Sequence, residues 1–190
     1  AIVSELRTAT SSMTSVPKPL KFLRPHFRPL KALHRQLGND FGESETCQFH
    51  ARLSDVLSVL AMTLGNHEER ESLNFKLSGL KSFEKLGYSE KIVNELGSWG
   101  HEFVRSLAGE IGEEYASRVL DGADPKDDFS FGDLLAMVDV IVSFHITHNA
   151  EAEAVDLLIE VQRLKKLLEF EAIDESNYQR TCLYLMKTAD

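Results

Sequence analysis

Apolar residues recur at three- and four-residue steps along most of the chain, and this spacing constrains the fold more than any other feature. Phe49, Leu53, Val56, Leu57, Leu60 and Leu64 share one helical face, with Gly65 just past it. Trp99, Phe103, Leu107, Ile111, Tyr115 and Val119 step by fours. Leu134, Leu135, Val138, Ile141, Val142, His145 and Ile146 make a segment nearly apolar all round, as expected of a helix covered on two sides. No stretch shows the strict alternation of a half-buried strand between turn residues. The chain is therefore expected to be all-α: an irregular α-solenoid of stacked antiparallel helix hairpins, with 1–190 forming one helical domain. No two segments align at a fixed spacing, so no repeat family follows from periodicity.

The same patterns place the individual helices. Ser4–Met13 allows a short one. Phe27, Leu30, Leu33 and Leu37 predict another, closed by Gly38 and followed by a loop to Glu45. Residues 46–64 read as helix, Glu68–Leu77 as a short helix, and Ser78–Leu86 as irregular. Ser89 is a plausible N-cap for Glu90–Leu96. Gly109 and Gly112 each cost about 1 kcal/mol inside the helix after Trp99, which points to another helix crossing closely there. Gly122–Phe131 carries Asp124, Pro125, Asp127 and Asp128, so 121–131 is expected as a flexible acidic loop too polar to pack. After the break at Asn149, Ala150–Val161 is helical, with Glu151 and Glu153 near its N-terminus. Arg163–Phe170 continues or restarts it, and Asp174 or Ser176 caps a last helix through Tyr178, Cys182, Leu185 and Met186. The connections after Thr147 are short, so those helices are expected to be antiparallel neighbours.

Four of the five prolines, Pro17, Pro19, Pro25 and Pro29, lie in Thr14–Pro29, together with Lys18, Lys21, Arg24 and Arg28 and no acid. Proline fixes φ and biases the preceding residue away from the α region, so Val16, Lys18, Arg24 and Arg28 are expected to be extended or in turns. The segment reads as a proline-rich basic connector over 14–29. A sharper reading makes Lys18, Lys21, Arg24 and Arg28 a docking strip for an acidic partner. Arg24 and Arg28 are its anchors there, because a guanidinium holds a carboxylate with two hydrogen bonds.

This island is set in a chain of formal charge -9. An acidic balance argues against nucleic acid or a membrane surface as the principal partner, since phosphate contacts need clustered cations. No apolar run approaches the roughly 18 residues of a membrane span, and the N-terminus lacks a signal-peptide layout. Cys47 and Cys182 read as free, buried thiols of a reducing compartment, cytosol or nucleus. The start at Ala1 and the stop in a helix-like stretch at Asp190 read as those of a segment cut from something longer.

Chemistry finds little support. His101 and Glu102 begin the zinc-protease pattern H-E-x-x-H, but the fifth position is Arg105, a cation that would repel the metal. His145 and His148 share a helix edge without a third ligand in register, which leaves one packed and one helix-end histidine. Glu113–Glu114, Asp127–Asp128 and Glu151 with Glu153 are paired carboxylates where solvated acids usually sit. No phosphate-binding glycine loop, nucleophile elbow or cysteine-nucleophile signature occurs. Trp99, Phe103 and Tyr115 read as core. The expectation is a chain with no catalytic residues, cofactor or metal.

Four blocks carry a family resemblance: Ser12–His26 (SMTSVPKPLKFLRPH), Asp55–Thr63 (DVLSVLAMT), Ser98–Glu110 (SWGHEFVRSLAGE) and His148–Leu158 (HNAEAEAVDLL). In this order they resemble the N-terminal region of the large non-ATPase base subunits of the 26S proteasome regulatory particle, on the branch with ubiquitin-receptor and shuttle-factor sites. The stretches Asn39–His50, Ser78–Leu96 and Asp121–Phe131 depart from the family pattern. The resemblance implies a non-catalytic scaffold, a helical arm preceding a toroid of proteasome/cyclosome repeats. Its implied partners are the proteasome ATPase subunits and assembly chaperones. Ubiquitin and shuttle factors bind through the toroid, which this chain does not include, so no site residues carry over. A direct ubiquitin-binding module is the alternative that the residues leave open.

Overall fold

The computed structural model describes residues 18–39, 44–84 and 96–188. Ser4–Met13, Val16, Pro17 and all but Leu96 of the helix expected after Ser89 lie outside those residues. The described residues form eight α-helices joined by turns and three short 3-10 segments, and no strand occurs among them. The all-α fold class is thus as expected. The chain divides into two compact units, Ala1–Glu110 and Ile111–Asp190, and the division falls inside one helix, His101–Leu120.

The described part of unit 1 opens with α1 (Lys18–Leu23), a 3-10 turn (Arg24–His26) and α2 (Phe27–Asn39). Lys18, Arg24 and Arg28 are helical, not extended as the following prolines suggested. Pro19 is the second residue of α1, Pro25 the second of the 3-10 turn and Pro29 the third of α2. A first-turn N–H has no partner inside its own helix, so a proline there forfeits no hydrogen bond. The prolines thus set where helical segments restart.

The centre of unit 1 is the hairpin of α3 (Ser44–Leu64) and α4 (Glu71–Glu84). Ser78–Glu84 is helix, although sequence reasoning left it irregular. It continues the buried face of α4: Ser82 and Leu80 are buried in it, as are Ser72, Leu73, Lys76 and Leu77 in the turns before it. The pairing is antiparallel. His50 Nδ1 lies 2.8 Å from Ser82 Oγ, Lys76 Nζ donates to Asp55 Oδ1 at 2.5 Å, and Ser58 and Ser72 donate to each other's carbonyls at 2.8 Å. Backbones this close need small residues at the crossing. A Cβ on Gly79 would sit 2.9 Å from Ser54 Cβ and 3.4 Å from the Ala51 carbonyl oxygen. The buried face of α3 is correspondingly wider than its apolar stripe, taking in Ala51, Ser54, Asp55 and Ser58, while Phe49 is exposed.

Two carboxylates sit at the start of α4. Glu71 accepts from the Asn66 N–H at 3.1 Å, and Glu110, on the first half of α5 (His101–Leu120), accepts from the Leu73 N–H at 2.8 Å. Both charges also suit the positive end of the helix dipole. Trp99, Phe103 and Leu107 are buried, in keeping with the core reading.

Unit 2 holds the rest of α5, α6 (Asp128–Thr147), α7 (Glu151–Glu160), a 3-10 segment (Leu164–Glu169) and α8 (Tyr178–Thr188). The acidic stretch expected as a loop to Phe131 is already helical from Asp128. Asp127 caps that helix by accepting from the Phe129 N–H at 3.1 Å. Phe131 is fully buried, its ring centroid 4.3 Å from that of Tyr115. Arg118 ties the turn shut: it donates to both carboxylate oxygens of Asp133 at 2.7 and 3.0 Å and to the Ser130 carbonyl at 3.0 Å. These bonds, led by Asp133, raise the guanidinium pKa above its ordinary value.

Residues 129–147 of α6 are long and apolar enough to cross a bilayer by length and composition, which qualifies the expectation that no stretch is. In this fold they bury Phe131, Leu134, Met137, Val138, Ile141 and Val142 completely. Of the two helical glycines in α5, only Gly112 marks a close approach: a Cβ there would lie 2.1 Å from Glu160 Oε2, whereas nothing lies within 4 Å of one at Gly109. Asn149 takes a left-handed φ of 57° at the expected break. Contacts between α7 and α8 run in the same sense, Glu151 with Arg180 and Asp156 with Tyr184. That pair is not antiparallel, because the turns and 3-10 segment between them carry the chain back.

Candidate functional site

The basic strip becomes part of a cleft. Lys18 and Lys21 lie on α1, and their side chains are outside the described ones. Arg24 and Arg28 are exposed. Arg28 lines a cleft of about 510 Å³ in unit 1, together with Phe27, Lys31, Ala32, Arg35, Leu64, Gly65, Asn66 and Glu71. One wall is the outer face of α2, and the other is the end of α3 with the turn into α4. Arg28 belongs to this site and Arg24 precedes it by one turn.

The rotation of α2 explains why its cations gather there. At about 100° per residue, Arg28, Lys31 and Arg35 fall within about 60° of one another around the axis. His34 and Phe27, the buried positions, lie on the adjoining side. The expected apolar face ran through Leu33, which is exposed; His34 takes the inward place. A hydrogen bond and two ring contacts hold it. His34 Nε2 is 2.8 Å from Ser54 Oγ, its ring stacks on His50 at 4.1 Å, and it meets Phe75 edge-on at 5.1 Å. Burial, then the neighbouring His50 and Arg35, lower its pKa to about 4, so the ring is neutral near pH 7.

Lys31 is held within the cleft. It pairs with Glu71, and its ammonium sits 5.2 Å from the Phe27 ring centroid. Among the described residues, neither Arg28 nor Arg35 is hydrogen-bonded to a carboxylate. The cleft thus offers two outward guanidinium groups around a neutralised Lys31–Glu71 floor with a Phe27 edge. It can receive carboxylates. Lys31 and Arg35 went unnoticed because the basic segment was bounded by its prolines at Pro29. The spacing Arg28, Lys31, Arg35 is the helical-face signal that finds them.

The other chemical candidates are dispersed. His101 is partly buried at the start of α5 and Arg105 is exposed one turn on. His145 is fully buried, whereas exposed His148 donates from Nδ1 to the Phe144 carbonyl at 2.7 Å and stacks on the Phe144 ring at 4.0 Å. Glu114 pairs with Arg118, and Glu151 with Arg180. No group of three or more metal-ligating side chains occurs among the described residues. Cys47 is buried, Cys182 is partly exposed, and both are free thiols.

Comparison with known proteins agrees with the four sequence blocks. The model of the RPN1 N-terminal domain family matches residues 1–190. The chain is 48% identical over 185 residues to 26S proteasome non-ATPase regulatory subunit 2 homolog A of Arabidopsis thaliana, covering 97% of this chain and 18% of that protein. It is 48% identical over 187 residues to 26S proteasome non-ATPase regulatory subunit 2 of Dictyostelium discoideum, covering 98% and 18% respectively. Against 26S proteasome regulatory subunit rpn1 of Schizosaccharomyces pombe it is 42% identical over 180 residues, covering 95% and 17%. The chain therefore spans under a fifth of the length of these relatives, all of which are named as regulatory subunits. By a family match over its whole length, the chain belongs to the RPN1 N-terminal domain family and corresponds to the N-terminal region of the 26S proteasome non-ATPase regulatory subunits.

Proposed function

We propose that this chain is a non-catalytic scaffold segment of the 26S proteasome regulatory particle base. It supports subunit assembly and positioning for ubiquitin-dependent protein degradation in cytoplasm and nucleus. The observation that carries this reading is the family match over 1–190, to relatives that are regulatory subunits by name. The two compact helical units carry charged exteriors suited to that role, and the partners are the neighbouring ATPase subunits and assembly chaperones. Affinity purification of the tagged chain from cells with intact proteasomes tests the proposal. Base ATPase subunits should co-purify, and their absence at a level matching an unrelated helical control would overturn it. The alternative, direct binding of ubiquitin or a ubiquitin-like domain, predicts localised amide shifts when ubiquitin is titrated into the isotope-labelled chain; an unchanged spectrum removes it.

A further inference from the structure

We infer that the cleft between α2 and the α3–α4 turn is a docking site for an acidic peptide segment of a partner protein, gripped by Arg28 and Arg35. Charge complementarity fixes the occupant's chemistry. In a chain of net charge -9, Arg28, Lys31 and Arg35 converge on one concavity whose single acid, Glu71, is already paired with Lys31. Arg28 and Arg35 remain outward and unneutralised among the described residues, each able to take a carboxylate bidentately.

Spacing sharpens this. Seven residues of helix separate the two arginines by about 10 Å along α2. A polyproline II segment rises about 3.1 Å per residue with three residues per turn, so acids three positions apart lie on one face and come close to that separation. The Phe27 edge and Leu64 give an intervening apolar side chain a surface to lie on. A nucleic acid fits poorly: two free guanidinium groups in an acidic chain neutralise too few phosphates to hold a polyanion at physiological salt. The inference is independent of the scaffold role, because it concerns what the cleft binds and not which complex the chain enters.

The test uses the whole chain and a fluorescein-labelled extended peptide bearing two glutamates three residues apart with a leucine between. Fluorescence anisotropy should show saturable binding that weakens as sodium chloride rises. Arg28→Glu with Arg35→Glu should weaken it at least about tenfold, with far-UV circular dichroism and thermal midpoint unchanged because both side chains are exposed. Arg105→Glu with Lys165→Glu, equal in charge change and remote in sequence, should leave it intact. A glutamine-for-glutamate peptide should fail to bind. No saturable binding, equal binding by the cleft and control variants, or tighter binding of a single-stranded oligonucleotide than of the peptide would overturn the assignment.

Discussion

The Lys76–Asp55 pair offers the sharpest test of how unit 1 is held together. Both side chains are 2% exposed, and the ammonium donates to the carboxylate at 2.5 Å across the α3–α4 seam. Lys76→Met keeps most of the aliphatic stem and removes only the charge, taking from the buried Asp55 carboxylate its cation across the seam. Breaking such a pair from one side costs about 3–5 kcal/mol, a large part of the total stability of a domain. With a urea m-value of about 2 kcal/mol/M, the midpoint should fall by about 2 M. Trp99, the sole tryptophan, is buried in unit 1, so its fluorescence reports the unit that carries the mutation. Asp55→Leu alone should cost a similar amount, while the double variant should recover most of the loss, because an apolar pair needs no charge compensation. Single variants that lower the midpoint by less than about 0.5 M would refute the reasoning, since the pair would then be solvated and not sealed in the hairpin.

Three further outcomes follow from the packing and charge just described. Gly79→Ala should destabilise by about 1–2 kcal/mol, the overpacking against Ser54 exceeding the gain in helix propensity, whereas Gly109→Ala, with open space around it, should stabilise by up to about 1 kcal/mol; thermal melts that give both the same sign would contradict the close crossing. His34 has a folded pKa near 4, below its ordinary 6.5, so the unfolded chain binds the extra proton. Its contribution is present above pH 6.5 and is lost as pH falls towards 4. Discounted for solvent reaching the pair, unit 1 should weaken by about 1–2 kcal/mol between pH 7 and 4.5, and His34→Phe should flatten that slope in urea titrations. Among the described residues the buried Tyr115 hydroxyl has no hydrogen-bond partner, so Tyr115→Phe should be neutral or stabilise by about 1 kcal/mol; a loss of more than that in denaturant melts would reveal a partner for the hydroxyl.

The long helices were legible because their buried positions are apolar and in register: Trp99, Phe103, Leu107, Ile111 and Tyr115 all reach the core. Reasoning of that kind fails where burial is achieved by polar residues. Ser78–Glu84 lacks an apolar stripe, yet it packs because Gly79 lets α3 approach and Ser82 finds a buried partner in His50. Partners at separations of 20–40 residues leave no trace in a local window. The same blindness moved the inward face of α2 from His34 to Leu33. At the acidic turn, Asp127 and Arg118 converted an apparent loop into a capped helix start. The candidate site was half legible: Arg28 was found by composition, Lys31 and Arg35 only by the helix that aligns them.

That alignment links the hairpin interior to the cleft outside it. A helix with cations at positions 28, 31 and 35 could turn them anywhere about its axis, and apolar patterning alone would have pointed it wrongly. What fixes the rotation is a histidine with a hydrogen-bond partner on α3 and rings on α3 and α4. Once His34 is seated on Ser54 and His50, about 100° per residue carries Arg28 and Arg35 to the cleft side together. Replacing Ser54 by Val should therefore do more than leave a buried ring nitrogen unsatisfied. It should loosen the rotational register of α2, lowering acidic-peptide affinity without touching any residue that lines the cleft. Undiminished affinity in a Ser54→Val chain of reduced stability would show that the cleft is organised by the Lys31–Glu71 pair instead.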